Sequence, residues 1–103
     1  MPHIIIEHSA GLNAQLLIAS AVESAIKSEL FTGPDIQVRA VAYTTSIPQQ
    51  FVHVQARIWH GRTIEHKQNL SQLIGVGLKT AIEITLPITV EVVDIDKTSY
   101  CKL

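Results

Sequence analysis

Alternation of apolar and polar positions, interrupted twice by helical spacing, divides the chain into six elements. The run His3-Ile4-Ile5-Ile6-Glu7 is short, apolar and β-branched, and it predicts a buried strand. Ser9 stands where it can cap a following helix, in which Leu12, Leu16, Ala19, Val22, Ile26 and Leu30 recur at helical spacing. Thr32-Gly33-Pro34-Asp35 ends that helix with turn-forming residues. Ile36, Val38, Ala40 and Ala42 then alternate with Gln37, Arg39, Val41 and Tyr43, which predicts a second strand to about Tyr43.

A loop at Ser46 to Gln50 leads to a third strand from Phe51 to Trp59. Val52, Val54, Ala56 and Ile58 share one of its faces; Phe51, His53, Gln55, Arg57 and Trp59 share the other. Gly61 turns the chain and Thr63 caps a second helix, with Glu65 in its first turn to suit the helix dipole. Its apolar stripe is Leu70, Leu73, Ile74, Gly77, Leu78, Ala81 and Ile82. Gly75 and Gly77 each cost about 1 kcal/mol relative to alanine inside a helix, so they imply close approach to a neighbour. Pro87 ends the helical region, Ile88 to Ile95 forms a fourth strand, and Asp96 to Leu103 is a polar tail or short edge strand.

The order is β-α-β-β-α-β, an α/β (α+β by some schemes) fold. Each strand–helix–strand unit favours a parallel pair with a crossover. Two units predict a four-stranded sheet with both helices on one face. The other face then carries more apolar residues than solvent tolerates, and covering it calls for association between subunits. The length of 103 residues suits one domain spanning residues 1–103.

Composition sharpens this picture by exclusion. The net charge of −1 gives no electrostatic footprint for a phosphate backbone, so nucleic acid is not an expected partner. Only 17% of residues are charged, against about 25% in ordinary domains, which again fits a surface partly covered by another subunit. The lone Cys101 excludes a disulfide framework and any CxxC motif. No stretch reaches the ~20 apolar residues that span a bilayer, and no signal-peptide pattern precedes the first strand. A cytoplasmic protein is expected.

Among the residues that carry chemistry, Pro2 comes first. Initiator methionine is commonly removed before a small residue, and removal here exposes a secondary amine on a rigid strand. Apolar surroundings and a nearby cation disfavour its charged form, which poises it as a general base. Met-Pro starts also occur in many unrelated proteins, where the proline merely begins the chain. Arg62 lies beside Gly61 at a strand-to-helix turn, a place suited to anions; the plainer reading pairs it with Glu65. Arg39 and Arg57 lie in strands two and three. The five histidines, His3, His8, His53, His60 and His66, form no HxxxH or HExxH pair, so no metal is expected. His53 reads as a hydrogen-bonded packing residue. No serine stands in a GxSxG or SxxK context, and no glycine-rich phosphate loop is present.

Several of these features together resemble a known family. Pro2-His3-Ile4-Ile5-Ile6-Glu7-His8-Ser9 is similar to the start of 5-carboxymethyl-2-hydroxymuconate isomerase, of the tautomerase superfamily. Phe51-Val52-His53-Val54 and Gly61-Arg62-Thr63-Ile64-Glu65 resemble its third strand and its Gly-Arg-Ser/Thr helix start, and Ile36-Gln37-Val38-Arg39 falls at an Ile-Arg-x-Arg pattern, with Gln37 replacing the first arginine. The resemblance implies a homotrimer whose sheets enclose a central barrel. It also implies a cofactor-free keto–enol tautomerase acting on a small unsaturated 2-oxo or 2-hydroxy carboxylic acid. Carried over, Pro2 is the general base and acid, Arg62 binds the carboxylate or carbonyl, and Arg39 is a second substrate binder. Two other readings share the element order. One is a non-catalytic trimeric assembly or binding protein on the same scaffold. The other is a ferredoxin-like regulatory module, whose neighbouring strands run antiparallel.

Overall fold

The computed structural model describes residues 2–103; Met1, on whose removal the expected chemistry depends, lies outside the described residues. Strand β1 (His3–Ser9) is followed by helix α1 (Ala14–Lys27), a single 3-10 turn at Gly33–Asp35 and strand β2 (Gln37–Tyr43). Strand β3 (Val52–Trp59), helix α2 (Ile64–Ala81) and strand β4 (Ile88–Ile95) repeat the plan. The four strands form one sheet in the order β2-β1-β3-β4. β1 runs parallel to β2 and β3 parallel to β4, while the central pair β1 and β3 is antiparallel. The parallel pairs within each half separate this chain from a ferredoxin-like module.

Period-two alternation decides which residues enter the core. Ile4, Ile6, Val52, Val54, Ala56 and Ile58 are buried from the sheet side, and Leu17, Ala21, Ala25, Leu70, Ile74 and Leu78 meet them from the helices. Register places Ile4 against Ala56 and Ile6 against Val54, so the two central strands present one continuous apolar face. The stripe expected for α2 is the one observed, and Thr63 caps that helix by accepting from the His66 backbone N–H at 3.2 Å.

Three expectations need correction. Ser9 does not cap α1: it is buried at the end of β1, its Oγ accepting from the Phe51 N–H at 3.2 Å, and Asn13 caps instead, accepting from the Leu16 N–H at 3.1 Å. The buried face of α1 is also not the expected stripe. Leu17, Ala21, Ser24 and Ala25 face inward, while Leu16 and Ile26 are 44% and 50% exposed. The helix is apolar around most of its girth, so periodicity did not single out a face; small residues won the core side because α2 lies close there. Thirdly, the open sheet face is less apolar than expected. It is mixed: Ile5, Val41, Tyr43, Trp59, Val93 and Ile95 share it with His3, Glu7, Arg39, His53, Gln55, Arg57 and Glu91, several of them joined by side-chain hydrogen bonds.

Candidate active site

Pro2 ends the sheet on the side where α1 gives way to the 3-10 turn. It is buried, and its carbonyl oxygen accepts from the Gln37 N–H at 3.1 Å, which ties it to the start of β2. Arg62 arrives from the turn after β3, where Gly61 has a positive φ of 117°, a conformation that suits glycine. One Arg62 Nη2–H donates to the Leu30 carbonyl oxygen at 2.7 Å, holding the guanidinium across the gap between the halves. The expected pairing of Arg62 with Glu65 is not among the ion pairs of the described residues.

Between Pro2 and Arg62 lies a pocket of about 190 Å³. Leu30, Phe31 and Thr32 from the segment after α1 form one wall, and Asp35 and Trp59 complete it. A base candidate, a permanent cation, an acid and two aromatic rings thus share one small space. Two of these, Pro2 and Arg62, were expected from the sequence. The sequence places Trp59 only on one face of the third strand and Asp35 only in a turn, and it does not single out Phe31 for chemistry.

Arg39 is elsewhere. Its register partner on β1 is Ile5, which puts it on the sheet face away from the helices, and its Nη1 lies 3.3 Å from His3 Nδ1. Within one chain it does not line the pocket that holds Pro2. The same holds for Arg57, which donates to Gln55 Oε1 at 3.1 Å. His3 in turn meets Tyr100 Oη at 2.8 Å, and the Tyr100 ring packs edge-on against Trp59 with centroids 4.8 Å apart. The segment after β4 therefore braces the Trp59 wall. Burial first, and then the Arg39 and Arg57 guanidinium groups, hold the His3 imidazole below its ordinary range.

The remaining histidines do not converge. His53 bonds Thr89 Oγ1 at 2.7 Å and Glu91 Oε2 at 2.6 Å on the open sheet face, the packing role its strand position predicts. His60 lies 3.3 Å from Asp94, which also takes an ion pair from Lys67 at 2.8 Å. The Lys67 hydrogen bond is the largest cause of the lowered Asp94 pKa. Buried His8 donates from Nδ1 to the Ser9 carbonyl oxygen at 2.8 Å. Among the described residues, no three His, Cys, Asp or Glu side chains gather as a metal site requires. A larger depression, about 680 Å³, lies between α2 and β4, where aliphatic residues such as Val76, Ile82 and Leu86 share the wall with Lys79 and Glu83. The smaller pocket, in contrast, brings Pro2, Arg62 and Asp35 together.

No protein-family model matches the sequence, and no curated protein matches it. Solved structures do match in fold. A fused 4-OT described as a symmetric trimer is 16% identical, with 93% of this chain and 87% of that one covered and a TM-score of 0.80. A malonate semialdehyde decarboxylase inhibited by 3-bromopropiolate is 12% identical, with 95% and 86% covered and a TM-score of 0.77. A member of the cis-3-chloroacrylic acid dehalogenase family is 17% identical, with 97% and 79% covered and a TM-score of 0.81. At these identities the likeness establishes the architecture: the chain has the tautomerase-like β-α-β-β-α-β fold.

Proposed function

We propose that this chain is a cofactor-free tautomerase that moves a proton within a small unsaturated 2-oxo or 2-hydroxy carboxylic acid. The observation that carries the reading is the meeting of Pro2 and Arg62 in one pocket. With Met1 removed, Pro2 presents a secondary amine whose ring and strand fix the direction of its lone pair. The neutral amine takes the proton from the enol oxygen or the carbon beside the carbonyl. The same nitrogen, now cationic, returns it at the other end of the conjugated system. No atom is gained or lost, and the double bond shifts. Arg62 receives the substrate carboxylate through a charge-assisted fork and offsets charge developing on the carbonyl oxygen. Its bond to Leu30 leaves further N–H donors to do so. Phe31 and Trp59 exclude water, which strengthens both effects.

The proton transfer resembles that of 5-carboxymethyl-2-hydroxymuconate isomerase, and we propose an isomerase with the same kind of proton shuttle acting on a smaller acid, in aromatic-compound breakdown in the cytoplasm. Among the described residues, no helix is long and apolar enough to cross a membrane. We propose a homotrimer, as the fused 4-OT of the same fold is. Arg39, outside the pocket of its own chain, serves as a second substrate binder only if assembly brings it to a neighbour's pocket.

The test is turnover of enol and dienol carboxylates, followed by ultraviolet absorbance with protein whose mass confirms loss of Met1. Pro2→Ala lowers kcat by about a hundredfold or more, the size of a general-base contribution, while the assembly stays intact. Arg62→Ala raises KM for carboxylate substrates about tenfold to a hundredfold, the worth of a hydrogen bond to a charged group. Unchanged turnover in Pro2→Ala overturns the proposal, and equal kinetics for charged and uncharged analogues removes Arg62 from it.

A further inference from the structure

The charges around the pocket bear on which acid it accepts. Arg62 is the cation that lines it, and Asp35 is an anion lining the same space of about 190 Å³. Asp35 closes the 3-10 turn, its backbone N–H bonded to the Thr32 carbonyl oxygen at 2.9 Å, and the Ile36 N–H bonds back to Gly33 at 3.1 Å. These bonds fix the backbone at Asp35 where it runs into β2, and its exposed side chain stands at the rim of the pocket it lines.

Within one chain, the other cations nearby are engaged away from the pocket. Arg39 and Arg57 belong to the open sheet face, beside His3 and Gln55. Lys97 lies over the Trp59 ring at 5.6 Å and borders a separate depression that it shares with Asp94 and Asp96. Gln37, at the place of a family arginine, carries no charge. Amine chemistry at Pro2 requires the neutral nitrogen, so the working pocket offers a guanidinium and a carboxylate of opposite sign. The space is also small: it equals the liquid volume of about six waters.

We infer that the pocket takes a small acid with a single carboxylate and an uncharged remainder, and that Asp35 is the residue that turns away a second carboxylate. The first carboxylate meets Arg62. A second one on the same short molecule has Asp35 as its neighbour at the pocket rim, where like charges a few ångströms apart cost on the order of tenfold in affinity. An acid with several carboxylates, such as a carboxymethyl muconate, exceeds what one guanidinium meets. The inference rests on the Pro2–Arg62 pocket being the working site, and it narrows the substrate class proposed for it.

The experiment reads binding rather than turnover. Calorimetric titration of the full chain, with Met1 confirmed absent, uses 2-oxopentanoate and 2-oxoglutarate, which share a carbon backbone and differ by one terminal carboxylate. The wild type binds 2-oxopentanoate at least tenfold more tightly. Asp35→Asn narrows the gap to about threefold by gaining affinity for the diacid, and Asp35→Ser does the same should the amide variant fold poorly. Equal affinity of the wild type for the two acids overturns the inference, whatever supplies the second cation. So does binding of neither acid, or a preference that survives both variants unchanged. The outcomes also separate this inference from the proposed reaction. Selective binding without any enol–keto conversion leaves the charge rule standing and removes the tautomerase. Rapid conversion with indiscriminate binding does the reverse.

Discussion

His3 shows how much one side chain can report about its surroundings. Arg39 has only N–H donors, so His3 Nδ1, 3.3 Å away, must accept; the neutral ring then carries its proton on Nε2 and donates to Tyr100 Oη at 2.8 Å. Protonating Nδ1 would set donor against donor and add a cation beside two guanidiniums, in accord with the lowered pKa. An imidazole whose folded value lies below its unfolded value of about 6.5 contributes stability above that pH. The contribution is lost as pH falls through the folded value, because the unfolded chain binds the proton more readily. His3→Gln cannot titrate, so its urea midpoint falls less steeply than the wild type's below about pH 6.5. Parallel curves would assign the acid sensitivity elsewhere. Single residues also mark the limit of the sequence reading. That Pro2 and Arg62 share a pocket could be anticipated because each is tied to an element boundary, a strand start and a strand-to-helix turn. The place of Asp35 beside them could not, since an acid after Gly-Pro in a turn looks the same whether it faces a pocket or water.

Elements were legible in kind more than in facing. All four strands and both helices lie where alternation and helical spacing put them; strand and α2 ends move by no more than two residues, while α1 starts later and stops earlier than the expected run from Ser9 to Leu30. α1 is the exception in orientation, and the cause lies across the helix pair. A Cβ at Gly77 would meet Ser24 Oγ at 2.5 Å and Ser20 Oγ at 3.2 Å, so α2 touches α1 through a glycine against serines. Gly77, one of the two glycines that weaken α2 as an isolated helix, therefore helps decide which face of α1 turns inward, while a Cβ at Gly75 would meet Val90 of β4 at 3.7 Å; this is a pairwise fact that neither helix's own periodicity contains. Gly77→Ala gains helix propensity of about 1 kcal/mol but must displace the Ser24 hydroxyl from a packed contact, at a cost of about 1–3 kcal/mol. The variant is expected to be destabilised by about 1 kcal/mol in chemical unfolding. Adding Ser24→Ala removes the obstructing oxygen while keeping Cβ at an ordinary 3.8 Å, and the double variant recovers most of the loss. Absence of such recovery would show that the backbones, not the hydroxyl, set the contact.

At the scale of the whole molecule, the question is what covers the open side of the sheet. One side is sealed by α1 and α2; the other carries Ile5 and Gln55 in register at its centre, with Arg39, Glu7 and His53 around them. This mixed face fits an interface that uses specific hydrogen bonds as well as apolar contact, and the homotrimer proposed above buries it. Ile5 is the residue to test, because its neighbours in register, Arg39 and Gln55, offer no carboxylate to an added cation. Ile5→Lys places an ammonium beside Arg39. On an exposed sheet it would cost little, since the charge stays in water. Inside an interface it must be dehydrated without a partner, which costs several kcal/mol at each of the symmetry-related positions. Light scattering on wild type is expected to give three times the 11.3 kDa chain mass, and on Ile5→Lys a single chain mass with the far-ultraviolet circular dichroism of the wild type. A variant that stays trimeric would place the subunit contact on another surface, such as the exposed Leu16 and Ile26 of α1.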